Sequence, residues 1–536
     1  MYERVTTVNG PRYPDAKKAY IDKINSGMLL LNYTGHASNR DWAHEYILVN
    51  SDIETMNNSR LPLIFTAACD FGRFDGNMTA GSELMLTKPG GGAIALITAS
   101  RVVYGSPNKD LNERVLEYLF NKKDGKPVRL GDVLRYSKND LYYKDEPPHP
   151  NKIRFLLLGD PALRLAFPDN SYSVKIKQVN GKKANDEGIQ LKALSSNVIE
   201  GEIVDTDGNI AGDFNGILES VIFDSMQDLK TRGNTANGTG DTSVMIDYTD
   251  YTNTLYTGKV QVKDGCFTIE FRTPKDILYL DKSGKMSFFA YDEINTRQAQ
   301  GNFTNYIVGG TDPGAVEESD SPEIKQIYLN RESFKPGDKV NTTPFFFAEV
   351  YDESGINLSN AIGHNISLLI DNSKLYNLTP YFENTGASTQ NGIIKYSIPE
   401  LTTGLHSLQF KVWDVWNNSS TIDFDFEVTD NYKPSFNNFL IEGNPAKDKT
   451  RFKLSTDLPG SKIIVKFEVY SMVGAIVWST QMQGTAGMDT NFEYLWDLAT
   501  SGGSRINPGI YICRATVSVD GDLSVSESMK LIVLDE

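Results

Sequence analysis

GMLLLNYTG at residues 27–35 and LPLIFTAAC at residues 61–69 decide the fold of the first part of this chain. Both are apolar runs of strand length, nearly continuous rather than alternating. A strand covered on one face alternates apolar and polar residues, whereas one covered on both faces does not. Two more runs, GGAIALITAS (91–100) and RFLLLGDPALRL (154–165), have the same character. The segments between them suit helices. SPNKDLNERVLEYLFNK (106–122) sets Leu111, Val115, Leu116 and Leu119 along one face, and RLGDVLRYSKNDLYYK (129–144) is a second candidate. Strands alternating with helices predict an α/β domain with a parallel or mostly parallel sheet over residues 1–168.

Beyond Ser171 the helical period fades, and Val, Ile, Phe, Tyr and Thr rise between Gly- and Asn-rich turns. The DTDGN turn (205–209) between alternating segments is a hairpin signal. Residues 171–312 therefore read as a β-sandwich with a mobile loop at KTRGNTANGTGDTS (230–243). The connector GGTDPGAVEESDSPEI (309–324) leads to a second β-module over 322–429, in which GLHSLQFKVWDVWNNSS alternates inward and outward residues. A third begins afresh at 438 and runs to 536. The fold class expected is thus multidomain α/β plus all-β, with one α/β domain and three β-sandwich modules of immunoglobulin-like type.

A chain of 536 residues exceeds one hydrophobic core, in keeping with several domains. Its formal net charge of -16 and the lack of a basic stripe argue against a nucleic-acid partner. Cys69, Cys266 and Cys513 lie far apart, so neither a disulfide framework nor a structural zinc site is expected. Cys266 in DGCFTIEF and Cys513 in YICRATV read as inert core residues. No apolar leader opens the sequence, which taken alone reads as cytoplasmic.

In an open α/β sheet, ligands meet the protein beyond the carboxyl ends of the strands. His36 follows the first run and Cys69 ends the second, so both emerge on one edge if their strands are neighbours. A thiolate that attacks a carbonyl and a histidine that moves its proton make an acyl-transfer pair. Backbone N–H groups near the glycine-preceded His36 and the Cys69 turn are candidate oxyanion donors. A strand-end cysteine is also a common small hydrophobe, and the histidine a polar terminus, so the residues alone leave both readings open. His44 in DWAHEYIL is a competing base. His36, His44 and Asp41 lack the spacing of a metalloprotease helix, so neither a metal nor a cofactor is expected.

TGHASNRDW with Glu45 beyond it, TAACDFGRF, GSELML with Glu83, GGAIALITASR and LLLGDPALRL together resemble the catalytic domain of the gingipain family of cysteine peptidases. That resemblance implies a caspase-like fold with His36 and Cys69 as catalytic residues. Gly35, Trp42, Glu45, Asp70, Gly72 and Glu83 are then candidates for oxyanion binding or support of the site. Two departures stand out. Ala37 takes the place of a second glycine often found after the histidine, which matters if that position needs positive φ. Family domains also extend well upstream of the histidine, where an acidic residue orients it; only 35 residues precede His36 here, and that acid has no counterpart. Asp15 is a tempting but poorly supported substitute.

The β-modules resemble those that follow the catalytic domain in the surface sortase of the type IX secretion system, the last one resembling the C-terminal signal domain of its cargo. The resemblance covers nearly the whole chain but only the later portion of such a protein. It implies a Bacteroidota enzyme on the outer face of the outer membrane, exported with a signal peptide upstream of this sequence. Its substrates are secreted cargo proteins bearing the C-terminal signal domain, and anionic lipopolysaccharide is the acceptor. A PorV-like outer-membrane protein and an attachment complex are the implied partners. A secreted general endopeptidase and an inactive surface scaffold or adhesin are the alternatives.

Overall fold

In the computed structural model the chain is described from 5 to 535, except for residues 9, 26, 57, 59, 90, 124–125, 145–149, 168–170, 232–244, 293, 295, 360, 362, 386–387, 431, 433–435, 458–461, 486–491 and 520–522. The four apolar runs become the four strands of one sheet. They are β1 (Leu30–Thr34), β2 (Leu63–Ala67), β3 (Ala95–Ala99) and β4 (Phe155–Leu158), in the spatial order β4-β3-β2-β1. The first three are parallel and β4 runs antiparallel to β3, so the sheet is mostly parallel as expected. All five residues of β2 and of β3 are buried, the reason these runs carry no alternation.

Helices accompany the strands: α1 (Pro14–Asn25), α2 (Gly81–Thr87), α3 (Gly105–Phe120), α4 (Leu130–Lys144) and the single turn α5 (Asn151–Arg154). Leu111, Val115 and Leu119 of α3 join the core with Phe65, Ile97 and Phe155. Burying each such side chain is worth about 1.5–3 kcal/mol. That is what holds α3, otherwise rich in charged residues, on the sheet. Ile24 of α1 and Met85 of α2 enter a second core with Leu31, Ile64 and Leu96.

The β-rich remainder forms several antiparallel or mixed sheets. In the first module, the strands Ser196–Asp205, Gly216–Phe223 and Lys285–Asp292 contribute to one large sheet, with Phe214, Leu218, Tyr256, Ile269 and Met286 in its core. The loop expected at 230–243 lies, from 232 on, outside the described residues. The second module packs a four-stranded sheet on a five-stranded one, with Phe346 and Phe410 in the core, ring centroids 5.1 Å apart. The third pairs a three-stranded with a four-stranded sheet. Its centre is an aromatic stack of Phe452, Phe467, Trp478 and Trp496. Residues 1–167 with 438–455 and 461–536 make one compact unit, and 168–437 with 456–460 another.

Cys513 is buried as expected, and burial pushes its thiol up to about 12. Cys266 is not a core residue: it is exposed. It opens the strand Cys266–Arg272, whose burial alternates so that Cys266, Thr268 and Glu270 share the solvent face while Phe267, Ile269 and Phe271 point inward. The apolar composition of the stretch was right, and the phase of the alternation decided the cysteine.

Candidate active site

Strands β1 and β2 are parallel neighbours in register from Leu30 opposite Leu63 to Thr34 opposite Ala67. His36 lies two residues beyond Thr34, and Cys69 two beyond Ala67. Equal steps past the last pair therefore bring both out on the carboxyl edge, from strands about 4.8 Å apart. His36 is exposed and Cys69 half-buried. Among the described residues no hydrogen bond joins them. Catalytic pairs in unliganded enzymes are often loose and tighten only around substrate.

The histidine loop is held by its backbone. The His36 carbonyl accepts the Tyr33 hydroxyl at 2.7 Å and the Ala43 N–H at 2.8 Å. Tyr33 stacks on Trp42 with ring centroids 4.3 Å apart and planes 7° from parallel. Burial first, then the Glu45 carboxylate, pushes the Tyr33 phenol up to about 12, which keeps it a donor. A Cβ on Gly35 would come within 2.7 Å of that hydroxyl. Ala37 pairs with Trp42 and does not carry positive φ, so the missing second glycine costs nothing there.

Trp42 is fully buried and joins the two halves of the site, since its ring also meets Phe71, two residues after Cys69, at 5.2 Å. The start of α2 adds a second tie. The Gly81 N–H donates to the Asn39 carbonyl in the histidine loop, and the Ser82 N–H to the Phe71 carbonyl in the cysteine turn. Glu83 supports this at one remove by accepting the Ala80 N–H at 2.8 Å, which closes the helix start.

In the cysteine turn Asp70 takes a left-handed conformation, φ 54°, which aspartate tolerates better than most side chains. The Asp70 N–H donates to the Arg101 carbonyl and that of Gly72 to the Ala99 carbonyl. Each amide has one proton, so these two are committed to holding the turn against β3 and its following loop. Gly72 is required there: a Cβ would sit 2.4 Å from Thr98 Cγ2. The Cys69 sulfur meets the backbone of Val103, with the N–H at 3.4 Å and the carbonyl at 3.5 Å.

His44 stacks on His36 with centroids 5.4 Å apart. Asp41 does not join them in a metal-like cluster; among the described residues the only such group is Glu318 of the 309–324 connector with Asp352 and Asp414 of the second β-module. Asp15 is exposed on the first turn of α1, and no described carboxylate is hydrogen-bonded to the His36 ring.

Sequence reasoning missed a set of buried asparagines beneath the edge. Asn112 exchanges hydrogen bonds with Asn32 and donates to Thr34 Oγ1 at 3.1 Å, and Asn108 donates to the Ala67 carbonyl at 3.3 Å. Thr34 and Ala67 are the last paired residues before His36 and Cys69. The available signal was an Asn pair spaced i,i+4 beside Leu111 on the apolar face of α3.

Residues 1–166 match the model of peptidase family C25. The chain is 30% identical over 215 residues to Gingipain R1 of Porphyromonas gingivalis, covering 38% of this chain and 19% of that protein. It is 30% identical over 155 residues to Gingipain R2 of the same species, covering 27% of this chain and 21% of that protein. The solved structure of dimeric latent PorU from Porphyromonas gingivalis is similar with a TM-score of 0.34 and 28% identity, covering 100% of this chain and 48% of that one. The chain thus spans about a fifth of the length of the gingipains it matches. Residues 1–166 are thus similar to C25 cysteine peptidases, and the chain is similar to gingipains.

Proposed function

We propose that this chain carries the catalytic centre of a cell-surface cysteine peptidase and sortase, which removes the C-terminal signal domain from type IX cargo and transfers the new carboxyl end to anionic lipopolysaccharide. The observation that supports it is the equal displacement of His36 and Cys69 beyond neighbouring parallel strands, within a domain of C25 type.

The Cys69 thiolate adds to the carbonyl carbon of the amide that precedes the signal domain. The C–N bond then breaks, His36 delivers a proton to the departing amine, and a thioester remains. An amine on the lipopolysaccharide attacks the thioester as His36, now neutral, takes its proton, giving a new amide and releasing the thiolate; water in its place gives a free carboxylate and simple proteolysis. The reading places the enzyme on the outer face of the outer membrane, with a PorV-like protein and an attachment complex as partners. Among the described residues no helix is long and apolar enough to cross a membrane.

Replacing Cys69 by Ala in the full-length protein tests this. The expected result is cargo that accumulates with its signal domain attached and little anchored product. Normal processing in that variant sinks the mechanism, and broad cleavage by the unaltered enzyme, without preference for signal-bearing proteins, favours a general endopeptidase. The isolated chain is expected to turn over weakly, because no described carboxylate orients the His36 ring.

A further inference from the structure

The Val103 amide is the polar group that the Cys69 sulfur keeps through both of its states. As a thiol, the sulfur donates to the Val103 carbonyl at 3.5 Å; once that proton leaves, only the N–H, at 3.4 Å, remains a favourable partner. An N–H donated to a charged acceptor is among the stronger hydrogen bonds. What places this amide is the next residue. The Asn151 carboxamide accepts the Tyr104 N–H at 3.2 Å and donates to the Tyr104 carbonyl at 2.9 Å, clamping both backbone groups. From the same helical turn Arg154 donates to the Val102 carbonyl, so α5 grips the chain on both sides of Val103.

The second amide hydrogen of Asn151 goes to Asn108 Oδ1 at 2.9 Å, and Asn108 donates to the carbonyl of Ala67, two residues before Cys69. The contacts close a ring from the sulfur through Val103, Tyr104, Asn151, Asn108 and Ala67 back to Cys69. Asn151 is 1% exposed and Asn108 4%. Carboxamides that deep stay only where their hydrogen bonds are made.

We propose that Asn151 and Asn108 are positioning residues that hold the Val103 N–H on the Cys69 sulfur and so maintain its reactivity as a nucleophile. This rests on the reading of Cys69 given above. Asn112 is the internal contrast: it lies on the same helix and is also buried, but it serves Asn32 and Thr34 on the histidine side.

The test is alkylation of the folded full chain by iodoacetamide at one fixed pH, following Cys69 and the exposed Cys266 separately by peptide mass spectrometry. Asn151→Ala is expected to slow Cys69 labelling about tenfold, the scale of one weakened hydrogen bond to a charged acceptor, with Cys266 unchanged. Asn108→Ala, the second variant should Asn151→Ala fail to fold, is expected to act in the same direction. Asn112→Ala is expected to leave Cys69 within about twofold of the original rate, since its hydrogen bonds lie outside the ring. A Cys69 rate that is unchanged or faster in folded Asn151→Ala, or an equal fall in Asn112→Ala, overturns the proposal. Cargo processing that survives Cys69→Ala overturns the nucleophile reading instead, whatever the labelling shows.

Discussion

Beneath the carboxyl edge of the first sheet, Asn108, Asn112 and Asn151 bury uncharged carboxamides; at the second β-module, Glu318 of the preceding connector, Asp352 and Asp414 bring three carboxylates within 4.8 Å of one another. A carboxamide both donates and accepts, so one asparagine can satisfy the next, as Asn151 satisfies Asn108. An ionised carboxylate only accepts. Backbone amides of Ser354 and Gly355 serve Asp352, and Asn418 and Trp416 serve Asp414, yet Glu318 Oε1 is buried with no hydrogen-bond partner among the described residues. Burial, and after it the Asp414 charge, pushes Asp352 up to about 7; burial pushes Asp414 up to about 6. One network is insensitive to pH and suits a site that must keep its geometry, whereas the other makes its module's stability depend on protonation.

The sign follows from the raised values. Between about pH 4 and 7 the folded module holds protons that the unfolded chain has released, so its stability falls as pH rises through that window. Asp352→Asn keeps an acceptor for the two amides and removes the charge. It is expected to stabilise the module by about 3 kcal/mol at pH 8 and to lose that gain towards pH 4. Hydrogen-exchange protection in the strands Phe345–Tyr351 and Gly404–Trp413 measures this, and a gain that does not change with pH breaks the contrast.

A smaller effect, of opposite sign, is expected at the carboxyl edge of the first sheet. Gly72→Ala drives a methyl into Thr98 and the Ala99 carbonyl, at a cost of about 2 kcal/mol. It should also disturb Cys69 labelling, whereas Asp352→Asn should not. Asn112→Ala is the smallest. Its partners Asn32 and Thr34 are exposed and regain water, so the loss is about 1 kcal/mol. Exchange protection in α3 should show that loss equally at pH 5 and pH 8, since no group in the contact titrates there.

The strands of the first sheet, the β-rich remainder and the position of His36 and Cys69 at strand ends were legible because each rests on a local property. Continuous apolar runs announce strands buried on both faces, and alternation announces half-buried ones. The carboxyl ends of the first two runs already carried His36 and Cys69. The pattern was blind where phase or partner mattered. Cys266 was assigned to the core because its strand is apolar on one face, and the chain sets it on the other. Asp70 and Gly72, candidates for oxyanion binding or support of the site, have their amides spent on β3 and the loop after it.

What the sequence alone determined is which segments are buried and at which strand ends His36 and Cys69 stand, since burial period and turn residues are written within a few positions of each other. Only the tertiary structure decided that β1 and β2 are neighbours in register, that Val103 meets the Cys69 sulfur, and that Asn151 secures it through Tyr104 and Asn108. Those contacts join residues more than thirty positions apart. A hydrogen bond requires donor and acceptor to meet within a few tenths of an ångström, and only the packed chain sets such distances.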